Sequence, residues 1–238
     1  MGFLSEKDIK EIDLTPEFIV KSDLDIQTIK SISDYAISNG NSLIVVGGYA
    51  TEAYLGGVIT RAHSDVDCIF TIKNEETRVQ VFEQIKNILT AEKTVWNFTK
   101  PNSFKLDCRE DRLDIPFNKR RRVELNIKPN WPEIKTIAKF LQDSRRNPVS
   151  ILVPELYPLI KGKMEKLYLV RNGIDSDKDR ETSISDVIDL ARLLQLKEVD
   201  KTTLIKYVPE VTFKYVTKFL DEITPQILEY LKNKFSKA

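Results

Sequence analysis

The stretch Leu43-Ile44-Val45-Val46-Gly47-Gly48-Tyr49-Ala50, followed by Thr60-Arg61-Ala62-His63-Ser64-Asp65-Val66-Asp67-Cys68-Ile69-Phe70, decides how this chain folds. Residues 43–46 form a short, wholly apolar run after the turn residues Asn39-Gly40-Asn41, the pattern of a buried strand. Gly47-Gly48 breaks that strand, and residues 49–55 have the composition of a short helix. Beyond a loop at 56–64 the apolar residues alternate. Val66, Cys68, Phe70 and Ile72 fall on one face; Asp65, Asp67, Ile69 and Thr71 fall on the other. Asp65 and Asp67 therefore leave the same side of a strand, with Cα atoms ~6–7 Å apart. Two such carboxylates resist ionising together unless a cation or donor stands between them. Mg²⁺ meets that need, because it takes oxygen ligands from one or two carboxylates and completes its shell with water and phosphate. An isolated Asp-x-Asp is more often a solvated pair. Here, however, a Gly-Gly break opens a helix, where backbone N–H groups face an anion and no Cβ blocks its approach.

Working outward, Ile26, Ile29, Ile32 and Ala36 recur at helical spacing across residues 25–38, behind an expected arm at 1–22 with a short helix start at Thr15-Pro16-Glu17. Residues 75–89 read as a helix with Val79, Phe82, Ile85 and Leu89 on one face. Three strands are expected at 104–108, 112–117 and 122–127, the first two joined by the hairpin-length Arg109-Glu110-Asp111. Beyond Pro132 helical patterns take over, at 133–143, 155–171, 184–196, 201–207, 211–222 and 225–235. The chain thus reads as α/β (α+β): a mixed-sheet domain at 1–130 and a helical domain at 131–238.

Composition narrows the function. The chain of 238 residues carries 37 Lys plus Arg against 36 Asp plus Glu, which argues against a generalised electrostatic grip on nucleic acid. One histidine and two cysteines exclude an ordinary zinc site and a disulfide framework. No apolar run approaches membrane-spanning length and the first ten residues are too polar for a signal peptide, so a cytoplasmic protein is expected. Nothing in the sequence fixes an oligomeric state.

The combination Gly47-Gly48-Tyr49-Ala50, Leu55-Gly56 and Thr60-Arg61-Ala62-His63-Ser64-Asp65-Val66-Asp67 resembles the polymerase-beta-like nucleotidyltransferase superfamily. Within it, the pattern is most similar to aminoglycoside and lincosamide nucleotidyltransferases, with Tyr49 where their motif has Trp. The strong stretch covers residues 44–72, with weaker support to about 196. The resemblance implies a palm-like mixed sheet followed by a helical domain. It also implies transfer of a nucleoside monophosphate from a nucleoside triphosphate such as ATP to an acceptor hydroxyl, with Mg²⁺ or Mn²⁺ as cofactor and pyrophosphate released. A small-molecule acceptor is the leading expectation. A toxin-like enzyme acting on tRNA and a non-catalytic nucleotide-binding module are the rivals.

For residues, the resemblance implies Asp65, Asp67 and a third carboxylate on a neighbouring strand as catalytic metal ligands. Asp114 is the choice, on the polar face of the strand expected at 112–117; Asp107 and Glu124 also lie on polar faces and stay open. Gly47, Gly48, Thr60, Arg61 and Lys163 are expected at the nucleotide. Arg61 has charge-assisted bonding to phosphate as one role and a loop ion pair as the other. A lone histidine such as His63 is more often structural than catalytic. Lys163 edges the apolar stripe Leu156, Leu159, Ile160, Met164, Leu167 and Val170, where lysines ordinarily snorkel, with Lys161 and Lys166 as alternatives. Asp186 and Asp189, in a helix resembling the family's Asp-x-x-Asp-Leu pattern, read as electrostatic supports. The densest basic run, Lys119-Arg120-Arg121-Arg122, reads as a solvated hairpin before it reads as an RNA contact.

Overall fold

The computed structural model describes residues 15–73, 77–92, 94–99, 105–111, 120–129, 135–172 and 180–235. It resolves into two compact units, one built on residues 13–155 and one on the helices from Leu156 onward.

The first unit is a seven-stranded mixed sheet with helices against it. Helix α1 (Pro16–Ser38) starts on Pro16, whose missing N–H costs nothing in a first turn, and buries Ile26, Ile29, Ile32 and Ala36. Strand β1 (Ser42–Val45) leads through Gly47 into α2 (Gly47–Tyr54), and β2 (Val66–Ile72) carries the Asp-x-Asp. Then come α3 (Arg78–Thr90), β3 (Trp96–Phe98), β4 (Lys105–Glu110), β5 (Arg122–Pro129), β6 (Thr136–Gln142) and β7 (Pro148–Pro154). The strands lie in the order β3-β4-β5-β2-β1-β7-β6. Alternation along β2 is as expected: Val66, Cys68, Phe70 and Ile72 are buried and the residues between them half-buried. Helix α1 covers that apolar face, with the Tyr35 and Phe70 rings 6.0 Å apart. Each such large apolar side chain contributes ~1.5–3 kcal/mol by leaving water. The opposite face of β2, β5 and β4 bears the charged residues.

Several expectations change. Residues 16–22 belong to α1 rather than to an arm, and Lys21 and Ser22 within them are buried. Val79 stands exposed, and the buried face of α3 is Val81, Phe82, Ile85 and Leu89. The helix expected at 133–143 is instead β6, paired antiparallel with β7 from Thr136↔Pro154 to Gln142↔Pro148. Ile137, Phe140 and Leu141 mimic helical spacing because β6 is an edge strand with both faces partly exposed, so no alternation was imposed on it. The sheet unit therefore runs to Glu155, not to a boundary near 130. The strand expected at 112–117, and Asp114 with it, lies outside the described residues.

The second unit comprises α4 (Leu156–Arg171), α5 (Arg180–Leu193), the single turn α6 (Lys201–Leu204) and α7 (Glu210–Phe235). Leu159, Ile160, Met164 and Leu167 of α4 are buried together with Val187, Ile188 and Leu190 of α5 and Val216 and Leu220 of α7. Asp200 caps α6 by accepting from the Thr202 and Thr203 N–H groups. Helix α7 runs through Pro225, where two separate helices were expected. No helix among the described residues is long and apolar enough to cross a membrane.

Candidate active site

Strand register gathers the acids. β2 runs parallel to β5 with Asp67 opposite Glu124, and β4 runs antiparallel to β5 with Asp107 opposite the same Glu124. Asp107, Glu124 and Asp67 thus form one row across three adjacent strands, ~5 Å per step. Asp65 stands immediately before β2 on the same side. Four half-buried carboxylates at this spacing require positive charge among them.

Arg122 supplies it. Its guanidinium meets Glu124 at 2.6 Å, Asp107 at 2.8 Å and Asp65 at 3.5 Å. Lys105 adds a contact to Glu124 at 2.6 Å, and Arg109 one to Asp107 at 3.5 Å. Burial works to raise the Asp107 carboxyl, but hydrogen bonds and charge from Arg122 and Arg109 hold it below the ordinary carboxylate range. The hydrogen bond to Asp107 and the charges of Glu124, Asp107 and Asp65 outweigh burial and push Arg122 upward.

Gly47 and Gly48 adjoin this row. Gly47 has φ +65°, and a Cβ there would stand 2.7 Å from Asp67 Oδ2; both facts demand glycine. At Gly48 a Cβ would stand 2.3 Å from His63 Nδ1 and 2.8 Å from Arg61 Nη2. Val46 at the N-cap position makes no side-chain cap bond, and its own N–H donates to the Asp67 carbonyl at 2.9 Å. The start of α2 is thereby pinned beside Asp67, and its N-cap residue, Val46, supplies no side-chain cap to the first N–H groups.

The connecting loop is organised by a residue the sequence did not single out. Glu52, fully buried on α2, accepts from the Thr60 hydroxyl at 3.0 Å and the Thr60 N–H at 3.2 Å. His63 Nε2 lies 3.3 Å from the same carboxylate, and its ring stacks on Tyr49 at 4.5 Å. Thr60 and His63 are thus both tied to Glu52 within the loop. The available signal was an acid on a short, otherwise largely uncharged helix. Arg61 is also buried, donating to the Ala62 carbonyl at 2.8 Å, with its other terminal nitrogen toward Gly48.

Of the remaining expectations, Lys163 belongs to the helical unit. Its buried ammonium donates to Asp189 at 2.7 Å and to Asp186 at 3.1 Å, while Lys166 meets Asp186 at 2.7 Å. Asp186 and Asp189 are thus the supports anticipated, with lysine as what they support. The basic run is not a solvated hairpin in its second half: Arg121 is buried and Arg122 is bound to the acid row.

Carboxylate oxygens are the donor type Mg²⁺ and Mn²⁺ prefer, so the chemistry of the row fits a hard divalent cation. Among the described residues no three acidic, histidine or cysteine side chains already converge at metal-ligand spacing. The Arg122 guanidinium stands between Asp65, Asp107 and Glu124 instead.

No family model matches the chain, and no curated protein matches it. Among solved structures, the chain is similar to the antibiotic-resistance factor ANT(2'')-Ia, at 15% identity and TM-score 0.44, over 88% of this chain and 98% of that one. It is also similar to the Cid1 poly(U) polymerase (12% identity, TM-score 0.34, 50% of this chain and 35% of that one). Polymerase beta of Leishmania infantum is a further match, at 14% identity and TM-score 0.34, over 52% of this chain and 47% of that one.

Proposed function

We propose that this chain is a metal-dependent nucleotidyltransferase that moves a nucleoside monophosphate from a nucleoside triphosphate to the hydroxyl of a small-molecule acceptor. The observation that carries this reading is the register-aligned row of Asp67 and Glu124, with Asp65 beside it, set against the glycine-opened start of α2.

Asp65, Asp67 and Glu124 would hold Mg²⁺ or Mn²⁺. Glu124 is included because it lies directly across the ladder from Asp67; Asp114, the residue expected for this role, lies outside the described residues. A bound divalent cation would neutralise triphosphate charge and acidify the acceptor hydroxyl. The Gly47 and Gly48 N–H groups would orient the phosphates at the positive end of α2, with the Arg61 guanidinium at hand beside Gly48. In the transfer, the acceptor oxygen attacks the α-phosphorus as the bond to the β-phosphate breaks, and pyrophosphate leaves. The acceptor's proton would pass to a carboxylate of the row, Glu124 in this reading. Most of the acceleration would come from positioning and charge neutralisation.

A small acceptor is favoured over tRNA because the second half of the densest basic run is spent internally, Arg121 on buried partners and Arg122 on the acids. The test incubates the protein with nucleoside triphosphates labelled at the α-phosphate, Mg²⁺ or Mn²⁺, and either a panel of polyhydroxylated amines or bulk tRNA. Label on a small acceptor supports the proposal. Label on tRNA replaces the acceptor, and metal-dependent nucleotide binding without any transfer replaces the enzyme with a binding module.

A further inference from the structure

Asp25, on α1, is fully buried. Its carboxylate accepts from three side chains in three parts of the unit. Oδ2 accepts from Tyr49 Oη at 2.9 Å and from Lys21 Nζ at 3.0 Å, and Oδ1 accepts from Arg121 Nε at 2.9 Å. Each partner belongs to, or reaches, a piece of chain that carries part of the site.

Tyr49 follows Gly48 on α2, so its hydroxyl anchors the helix whose start faces Asp67. Lys21 is buried and also donates to the His63 carbonyl at 2.7 Å, two residues before Asp65. Arg121 immediately precedes β5 and stands three residues from Glu124; its remaining donors go to Glu92, the Leu24 carbonyl and Thr28, and its guanidinium lies 5.0 Å from the centre of the Trp96 ring. One carboxylate therefore links the glycine helix, the approach to the Asp-x-Asp, and the approach to Glu124. Burial disfavours its charge, but Lys21 and Arg121 together hold the Asp25 carboxyl below its ordinary range, so the linkage is ionic at neutral pH.

We propose that Asp25 is a positioning residue for nucleotidyl transfer: through Tyr49, Lys21 and Arg121 it fixes the distance between the phosphate-facing helix and the acids. The assignment rests on the functional reading above. A metal–triphosphate would contact both the acids and the start of α2, so its affinity depends on their separation. That dependence is what a purely structural buried ion cluster lacks. The sequence hid this residue because Asp25 reads as a polar position in an amphipathic helix.

Tyr49→Phe removes one hydroxyl without changing the ring, and Lys21→Met keeps the length of the stem, so both variants are suited to folding. The experiment measures Mn²⁺ binding in the presence of a non-hydrolysable nucleoside triphosphate, by electron paramagnetic resonance. Wild type, both single variants and the double variant are compared at a temperature where thermal unfolding shows each fully folded. The expected result is that each single variant weakens Mn²⁺–nucleotide binding about fivefold, the scale of one buried hydrogen bond. The double variant should lose clearly less than the product of the two, because both act through the same Oδ2. Single variants that bind within twofold of wild type, or losses that simply multiply, overturn the positioning role while leaving the functional reading intact. Wild type that binds no Mn²⁺–nucleotide overturns the functional reading and takes this inference with it.

Discussion

Arg121 and Arg122 are neighbours in sequence and opposites in use. Arg121 is buried and spends its donors on Asp25, Glu92, the Leu24 carbonyl and Thr28. Arg122 lies on the charged face, more than a quarter of its side chain exposed, bridging Asp65, Asp107 and Glu124, which also keep some contact with solvent. An ion pair fully removed from water cannot let go of one partner without stranding the other, whereas a half-exposed pair exchanges partners at little cost. The buried cluster is therefore fixed framework, and the open row is exchangeable chemistry.

The largest effect should come from the open row. Asp67→Asn should abolish label transfer and Mn²⁺–nucleotide binding while unfolding stays cooperative, since the side chain is only half-buried; retained transfer would erase the distinction between the two regions. On the buried side, Asp25→Ala should cost about 3–5 kcal/mol in denaturant unfolding, because Lys21 and Arg121 lose a shared counter-charge in the interior. The sign with pH follows from the depressed Asp25 carboxyl. The unfolded chain takes up that proton at a higher pH than the folded one, so wild-type stability is full above about pH 4 and falls as pH drops through the lower folded value. The Asp25→Ala variant should lack that part of the acid sensitivity, and an unchanged acid limb would show that Asp25 is not charged in the folded state.

Between the regions, Gly48→Ala forces a methyl toward His63 Nδ1 and Arg61 and should cost about 1–3 kcal/mol of stability. It should also weaken nucleotide binding, and a variant as stable and as tight as wild type would remove Gly48 from both regions. The smallest effect is expected at Arg122→Gln. Removing a half-exposed competing cation should tighten Mn²⁺ binding about fivefold, on the scale of ~1 kcal/mol for such a pair, as read by calorimetric titration. Weaker binding would mean that Arg122 helps rather than competes.

Much of the sheet was legible because burial on one side writes itself into alternation: Val66, Cys68, Phe70 and Ile72 could face only a core. β6 was not legible, since an edge strand with Ile137 and Phe140 exposed carries no such constraint. The pairing of Glu124 with Asp67 was not legible either. A parallel ladder between β2 and β5 joins residues far apart in sequence, and periodicity leaves every polar-face acid an equal candidate. Glu52 and Asp25 escaped for the opposite reason. Buried charges look like surface residues in sequence, and only their partners reveal them.

The most direct test of the central claim is anomalous diffraction from crystals grown with Mn²⁺ and a non-hydrolysable nucleoside triphosphate. Manganese held by Asp65, Asp67 and Glu124, with the phosphates against Gly47 and Gly48, is the predicted result. Manganese elsewhere or absent, with Arg122 still bridging Asp65, Asp107 and Glu124, would contradict it.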